Sequence, residues 1–295
     1  MNRRILIRVV PIAIALLVVV FQFFSADRFT NEAGRTARVG MSSEQEEALG
    51  MQSFQQVLQQ SQVITSGPEY ETVKRVAERI AKATGESGRD FEWSVALVNS
   101  DQVNAFCLPG GKIVIFTGIL PVAANEAGLA TVMGHEVAHA TSRHGAERVF
   151  KQRVADTLLT GAQVSMSDMD YQQQRAIMGA LGAGAQYGIL MPFGRDHEIE
   201  ADQIGLLYMA RAGYDPREST AFWERMAVSG GGQPPEFLST HPSHGTRIQR
   251  LQQFMPKAVE EFEKSGGQAG QSRAFPSRAP AQPRQKPATV GDLEQ

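Results

Sequence analysis

The five residues His135-Glu136-Val137-Ala138-His139 limit what this chain can fold into more than any other stretch. Their neighbours Leu129, Ala130, Val132, Met133, Val137, Ala138 and Ala140 make a helix that is apolar nearly all round, the pattern of a buried helix. Two imidazoles and a carboxylate on such a helix are costly without partners. Residues four apart lie one above the other on a helix face, so both imidazoles reach a single metal ion. Glu136 sits beside them, where it can take a proton from water on that metal. The competing reading is a chance match or two surface histidines. At ordinary composition the pattern arises by chance in roughly 1% of chains this long, and the apolar setting favours a zinc site.

Two histidines do not complete a catalytic zinc site, which takes a third protein ligand and keeps an open position. The candidate lies in His197-Glu198-Ile199-Glu200-Ala201-Asp202. Glu198 and Asp202 share a helix face, while Glu200 points about 200° from Glu198 at 3.6 residues per turn. Asp202 can accept the free ring N–H of a ligand histidine and fix its tautomer. That pairing selects Glu198 as the metal ligand. The alternative is a solvated acidic helix start, where the helix dipole favours carboxylates.

The N-terminus carries a second constraint. Arg3 and Arg4 lead into an apolar run over Ile5–Phe24, interrupted by Arg8, Pro11 and Gln22. A membrane span needs about 20 mostly apolar residues, and this run reaches that length if Arg8 snorkels. Cleavage after Ala26 would place Phe24 at −3, a poor signal-peptidase site, so an uncleaved anchor is favoured over a secretory signal. The basic flank puts the N-terminus in the cytoplasm and the body outside. The expected location is the inner membrane with the catalytic domain in the periplasm. A soluble periplasmic form after signal cleavage is the alternative.

Composition closes off other classes. The 29 basic and 31 acidic residues leave a net charge of −2, so no global basic field points to nucleic acid. Cys107 is the only thiol, so there is no internal disulfide and the core rests on packing, with or without a metal. The chain divides into 1–26 (anchor or signal), 27–45 (polar linker), 46–264 (one domain) and 265–295. The last stretch is rich in Gly, Gln, Ser, Pro and Arg and is expected to be disordered.

Within the domain, helices are expected over Glu46–Gln60 and from Pro68 to Ala83, the second with Val73, Val76, Ala77 and Ile80 on one face. Phe91–Val98 alternates as a strand. Val103–Leu108 and Lys112–Thr117 form two more strands joined by the Pro109-Gly110-Gly111 turn. Asn125 caps a long helix from Glu126 to about Val149. Ala176–Phe193 reads as a packed or mobile helix rather than a second span, because its glycines weaken it. A helix over His197–Ala212 ends at Gly213. Asp215-Pro216-Arg217-Glu218 reads as a capping box opening the next helix. A glycine-rich loop at Gly230–Gly232 and a last helix after His241-Pro242 complete the domain. The expected class is α+β: mainly helical, with a small sheet.

The chain resembles the gluzincin metallopeptidases of the group that contains the CAAX prenyl endoprotease, HtpX and the mitochondrial Oma-type proteases. The residues that carry the resemblance are Asn104-Ala105-Phe106 with Leu108-Pro109-Gly110-Gly111, then His135–His139, Glu198–Asp202 and Thr240-His241-Pro242. They occur in the family's order and cover about residues 45–260. The compact form is most similar to the periplasmic BepA and LoiP type, without BepA's helical-repeat domain. The resemblance implies a zincin-type fold with one Zn2+ per chain. It also implies polypeptide substrates bound along an edge strand, with Asn104, Ala105 and Phe106 nearest the scissile peptide. His241 would approach the zinc as a fourth ligand or stabilise the oxyanion, for which a nearby arginine is the other candidate. His144, His197 and His244 have weaker claims. His144, five residues after His139, turns off the metal-facing side and is expected to cap or pair locally.

These parts describe an endopeptidase in envelope protein quality control, anchored by its N-terminal segment. One rival is a chaperone-like binding protein with a mostly latent zinc site. Another is a structural zinc domain, against which Glu136 argues, since such sites prefer cysteine and have no use for a carboxylate there. Oligomeric state is not encoded in these patterns.

Overall fold

The computed structural model describes residues 3–186, 190–229, 235–241, 246–267 and 272–275. The Gly230–Gly232 loop, Pro242, His244 and everything after 275 lie outside them, as does part of Ala176–Phe193. The architecture is α+β and mostly helical.

Helix α1 (Arg3–Ser25) opens the chain. Its window Arg8–Ser25 has a mean hydropathy of 2.2 and is almost wholly unburied, so it is long and apolar enough to cross a membrane. The stretch expected to be a linker holds an antiparallel hairpin, β1 (Asp27–Thr30) and β2 (Thr36–Val39). Helix α2 (Ser43–Gln60) follows, capped by Ser42 in a capping box with Gln45.

A four-stranded sheet runs in the order β3-β4-β6-β5, with β3 (Val63–Ile64), β4 (Ser94–Val98), β5 (Ala105–Leu108) and β6 (Lys112–Phe116). Strands β4 and β6 are parallel, and β5 pairs antiparallel to β6 as the edge. The turn between β5 and β6 puts Gly110 and Gly111 at φ +74° and +80°, a region that side chains rarely enter. Alternation sorts the strand residues. Leu97, Ala105, Ile113 and Ile115 face the main core, while Ala96, Val98 and Val114 pack with Phe54 of α2.

Helix α3 (Pro68–Ala83) buries Val73, Val76, Ala77 and Ile80, the face its spacing predicts. After the short α4 (Leu120–Ala123), Asn125 caps α5 (Glu126–Thr141) by accepting from the Gly128 N–H. All of α5 except His139 is buried. Helix α8 (Met191–Arg211) packs along it, starting six residues before the expected His197. Helices α9 (Glu218–Val228), α10 (Glu236–Thr240) and α11 (Arg247–Lys264) complete the wall around α5.

Two sequence expectations need correction. The helix expected to reach Val149 breaks at Arg143, which adopts a left-handed conformation (φ 53°, ψ 34°) before α6 (His144–Ser165) begins. Arg143 is held there by Glu46, through Nε at 2.7 Å, and by the Met41 carbonyl at 2.8 Å. The capping box at Asp215 does not close: α9 starts at Glu218, whose carboxylate accepts from Asn125 and Arg225 instead. Within the tail, Ser272–Phe275 lie against the start of α5, with Glu126 N–H donating to the Arg273 carbonyl at 3.0 Å.

Helix α6 runs beside α1. Gln22 donates to Thr157 at 3.1 Å, and Arg8 pairs with Asp168, just past the end of α6, at 3.0 Å. Helix α7 (Tyr171–Ala185) has no buried residue.

The α5–α8 contact depends on two glycines. A Cβ on Gly205 would come within 2.7 Å of the His135 backbone nitrogen, and one on Gly134 within 2.7 Å of the Gly205 carbonyl oxygen. Gly205→Ala is expected to push the helices apart and cost about 1–3 kcal/mol, as other overpacked cores do. Chemical denaturation in detergent reads this, and an unchanged midpoint would show that the contact tolerates a methyl group.

Candidate metal centre

Helix α5 presents His135, Glu136 and His139, α8 presents Glu198 and Asp202, and His241 follows the last residue of α10. One donor atom each from His135, His139, Glu198 and His241 lies within 4.8 Å of the others. His135 Nε2 stands 3.2 Å from His139 Nε2, 3.4 Å from His241 Nδ1 and 3.4 Å from a Glu198 oxygen. Glu198 is also 3.4 Å from His139 Nε2 and 2.9 Å from His241 Nδ1.

These spacings can be tested against a bound ion. A tetrahedron with ligand bonds of about 2.0–2.1 Å has edges of about 3.3 Å. The five separations above run from 2.9 to 3.4 Å, with His135 meeting one Glu198 oxygen and His139 and His241 the other, and this clustering suits a central cation. Without one, lone pairs would face each other across a buried space. The donor types, imidazole and carboxylate, are those zinc takes.

The field around the donors is also one for a cation. Burial works against charge on His135, yet the Asp202 and Glu198 carboxylates outweigh it and raise the imidazole to about 9. Burial likewise opposes ionisation of Glu198, but the imidazoles of His135, His139 and His241 around it hold its carboxyl far below the usual range. Burial pushes His139 well down. Glu136 is raised, first by burial, with His241 and His135 pulling the other way. Its Oε1 lies 3.5 Å from His241 Nε2 and has no hydrogen-bond partner among the described residues, although the Cys107 backbone amide of β5 supports the carboxylate.

Each α5 histidine is backed from behind. Asp202 Oδ1 sits 3.0 Å from His135 Nδ1. Arg247 anchors this arm, with Nε 2.8 Å from Asp202 Oδ2 and Nη2 2.7 Å from Glu198 Oε2, its guanidinium stacked over Trp223 at 4.0 Å. Behind His139 stands His144, with the two Nδ1 atoms 2.9 Å apart. His144 leans on Glu200 and stacks on His197 at 3.9 Å, while His197 contacts Glu147 at 3.0 Å. Arg35, from the β1–β2 hairpin, bridges Glu147 and Glu200. Burial alone would raise both carboxyls, but His197 and Arg35 bring Glu147 to about 2, and His144 and Arg35 bring Glu200 to about 2. Burial lowers His144 to about 4.

The structure thus brings together His135, Glu136, His139, Glu198, Asp202 and His241. Asn104 precedes β5, and Ala105 and Phe106 lie on that edge strand beside α5, with Ala105 facing the main core and Phe106 packed on the opposite side of the sheet. Sequence reasoning gave Arg247, Arg35 and Glu147 no role at the site. It placed Glu200 correctly as facing away from Glu198, but had no partner for it. No local signal marked them: Glu147 lies among Arg143, His144, Arg148 and Lys151, and Glu200 among Asp196, His197, Glu198 and Asp202, so only the fold shows that these carboxylates are buried and require a cation nearby.

The sequence model of Peptidase family M48 matches residues 69–255. The "Mitochondrial metalloendopeptidase OMA1" of Schizosaccharomyces pombe is 38% identical over 195 residues, covering 65% of this chain and 55% of that protein. Its counterpart in Saccharomyces cerevisiae is 41% identical over 189 residues, covering 59% of this chain and 50% of that one. The "Beta-barrel assembly-enhancing protease" of Yersinia pestis is 31% identical over 222 residues, 74% of this chain and 45% of that one. The chain therefore spans about half the length of these relatives.

Proposed function

This chain belongs to peptidase family M48, and from that premise we propose that it is a zinc-dependent endopeptidase acting on polypeptides. The observation that carries the reading is the four-donor cage with a Glu136 oxygen at its side that has no hydrogen-bond partner among the described residues. His135, His139 and Glu198 would hold the zinc, with Asp202 and Arg247 fixing His135 and Glu198 from behind. Zinc, when bound, supplies a Lewis acid that polarises a carbonyl and lowers the pKa of water. Glu136, its carboxyl raised by burial, takes the proton from the attacking water and delivers it to the leaving amine. The edge of β5 pairs with the extended substrate main chain near Asn104 and Ala105, next to the strand amide that steadies Glu136.

Glu136→Gln keeps the donor cage and removes the base. It is expected to retain one zinc per chain while casein cleavage falls by about 10²- to 10⁴-fold. Full cleavage by the zinc-loaded variant would reject Glu136 as the base.

His241 completes a fourth donor position, and a catalytic zinc needs one position open. The resting state is therefore closed, with His241 Nδ1 toward the cage and Nε2 toward Glu136. This closure is also what a binding protein with a latent site would show. His241→Ala separates a plug from an oxyanion stabiliser: basal proteolysis rises several-fold with zinc retained if His241 is a plug. If it stabilises the oxyanion, turnover falls instead. Unchanged activity and zinc would remove both roles.

Helix α1 anchors the protein, with the N-terminus cytoplasmic and the protease domain in the periplasm, where misassembled envelope proteins are the substrates. The apolar window Arg8–Ser25 and the preceding arginines support this orientation. A topology reporter fused after residue 40 should be active only outside the cytoplasm, and cytoplasmic activity would reverse the assignment.

A further inference from the structure

His144 belongs neither to the donor cage nor to the proton transfer, yet it fills the space behind His139. The two Nδ1 atoms are 2.9 Å apart, so one carries the proton and the other the lone pair. The groups behind His144 decide which. Its Nε2 lies 3.0 Å from Glu200 Oε2, and a carboxylate only accepts. Glu200 is fixed as a carboxylate by Arg35, whose Nε meets Oε1 and whose Nη2 is 3.0 Å from Oε2. Asn31 Nδ2 donates to the same oxygen at 2.8 Å. His144 therefore donates Nε2–H to Glu200 and turns a bare Nδ1 toward His139. His139 must then donate Nδ1–H, which leaves the lone pair on its Nε2, the atom facing His135 and Glu198. The opposite arrangement, with a proton on His144 Nδ1, would move the His139 proton onto Nε2 and block it as a donor.

We propose that His144 is the positioning residue of His139: the relay Arg35–Glu200–His144 sets the His139 tautomer and ring plane so that Nε2 is free for the metal. This rests on the reading of His139 as a zinc ligand. It gives the two α5 histidines matching support, a carboxylate directly for His135 and a carboxylate through a second imidazole for His139. The relay begins at Arg35 and Asn31, so the β1–β2 hairpin that follows α1 is part of the metal centre's support.

The test uses the full chain in detergent micelles, labelled with 15N only in its six histidines. Long-range 1H–15N correlation of the zinc-free protein reads each ring's tautomer, and single substitutions assign the signals. His139 is expected to carry Nδ1–H and His144 Nε2–H. Zinc affinity, by competition with a chromophoric chelator, is expected to fall about 10- to 100-fold in His144→Leu. His144→Asn places a carbonyl oxygen where Nδ1 was and should recover most of that loss. If the leucine variant fails to fold, the wild-type spectrum still decides. Zinc uptake together with Nε2–H on His139, or wild-type affinity in folded His144→Leu, overturns the relay alone. No zinc uptake by the wild type overturns the ligand reading, and the proposal with it.

Discussion

Burying imidazoles on an apolar helix creates a polarity that the rest of this fold is arranged to answer. His135 and Glu136 are almost wholly enclosed on α5, and His139 is nearly so. Leaving such groups without partners costs several kcal/mol each in an apolar interior. The answers come from distant parts of the chain: α8 brings Glu198 and Asp202, α11 brings Arg247, and the N-terminal hairpin brings Arg35. The Gly134–Gly205 contact makes this reach possible, because Glu198 and Asp202 meet the α5 rings only if the two backbones approach closely.

The centre and the scaffold are consequently hard to separate. Arg247 binds both Glu198 and Asp202, so α11 closes against α8 through the same charges that orient the donors. Its stacking on Trp223 extends that link to α9. On the other side, Glu147 and Glu200 tie α6 and α8 to the hairpin through one guanidinium. Breaking a buried pair of this kind by removing one partner typically costs about 3–5 kcal/mol, since the other charge is left stranded.

What could be read from the sequence was what local geometry determines. The His135–His139 spacing, the Glu198–Asp202 face and the outward turn of Glu200 follow from 3.6 residues per turn. The α3 face and the Pro109-Gly110-Gly111 turn follow from equally short-range rules. What could not be read depends on pairings between remote residues. Nothing near Arg35 says that it meets Glu147 and Glu200, more than 100 positions away. His144 was rightly placed off the metal-facing side, but its role behind His139 needed the helix break, and that break needed Glu46. Asp215 illustrates the same limit: its local signature suggests a capping box, yet Glu218 is drawn to Asn125 and Arg225.

The left-handed Arg143 sets a rule for anyone who would move this centre into another protein. On an unbroken helix, the fifth residue after His139 sits about 140° round the axis and cannot lie against that ring. Here a single left-handed residue redirects the chain, and the ring at position 144 comes to lie against the ring at position 139. A straight helical graft would copy the donors and lose the brace. The transplantable unit is therefore a helix, an inverted link and the start of a second helix, together with the acidic residue whose pairing keeps the link inverted.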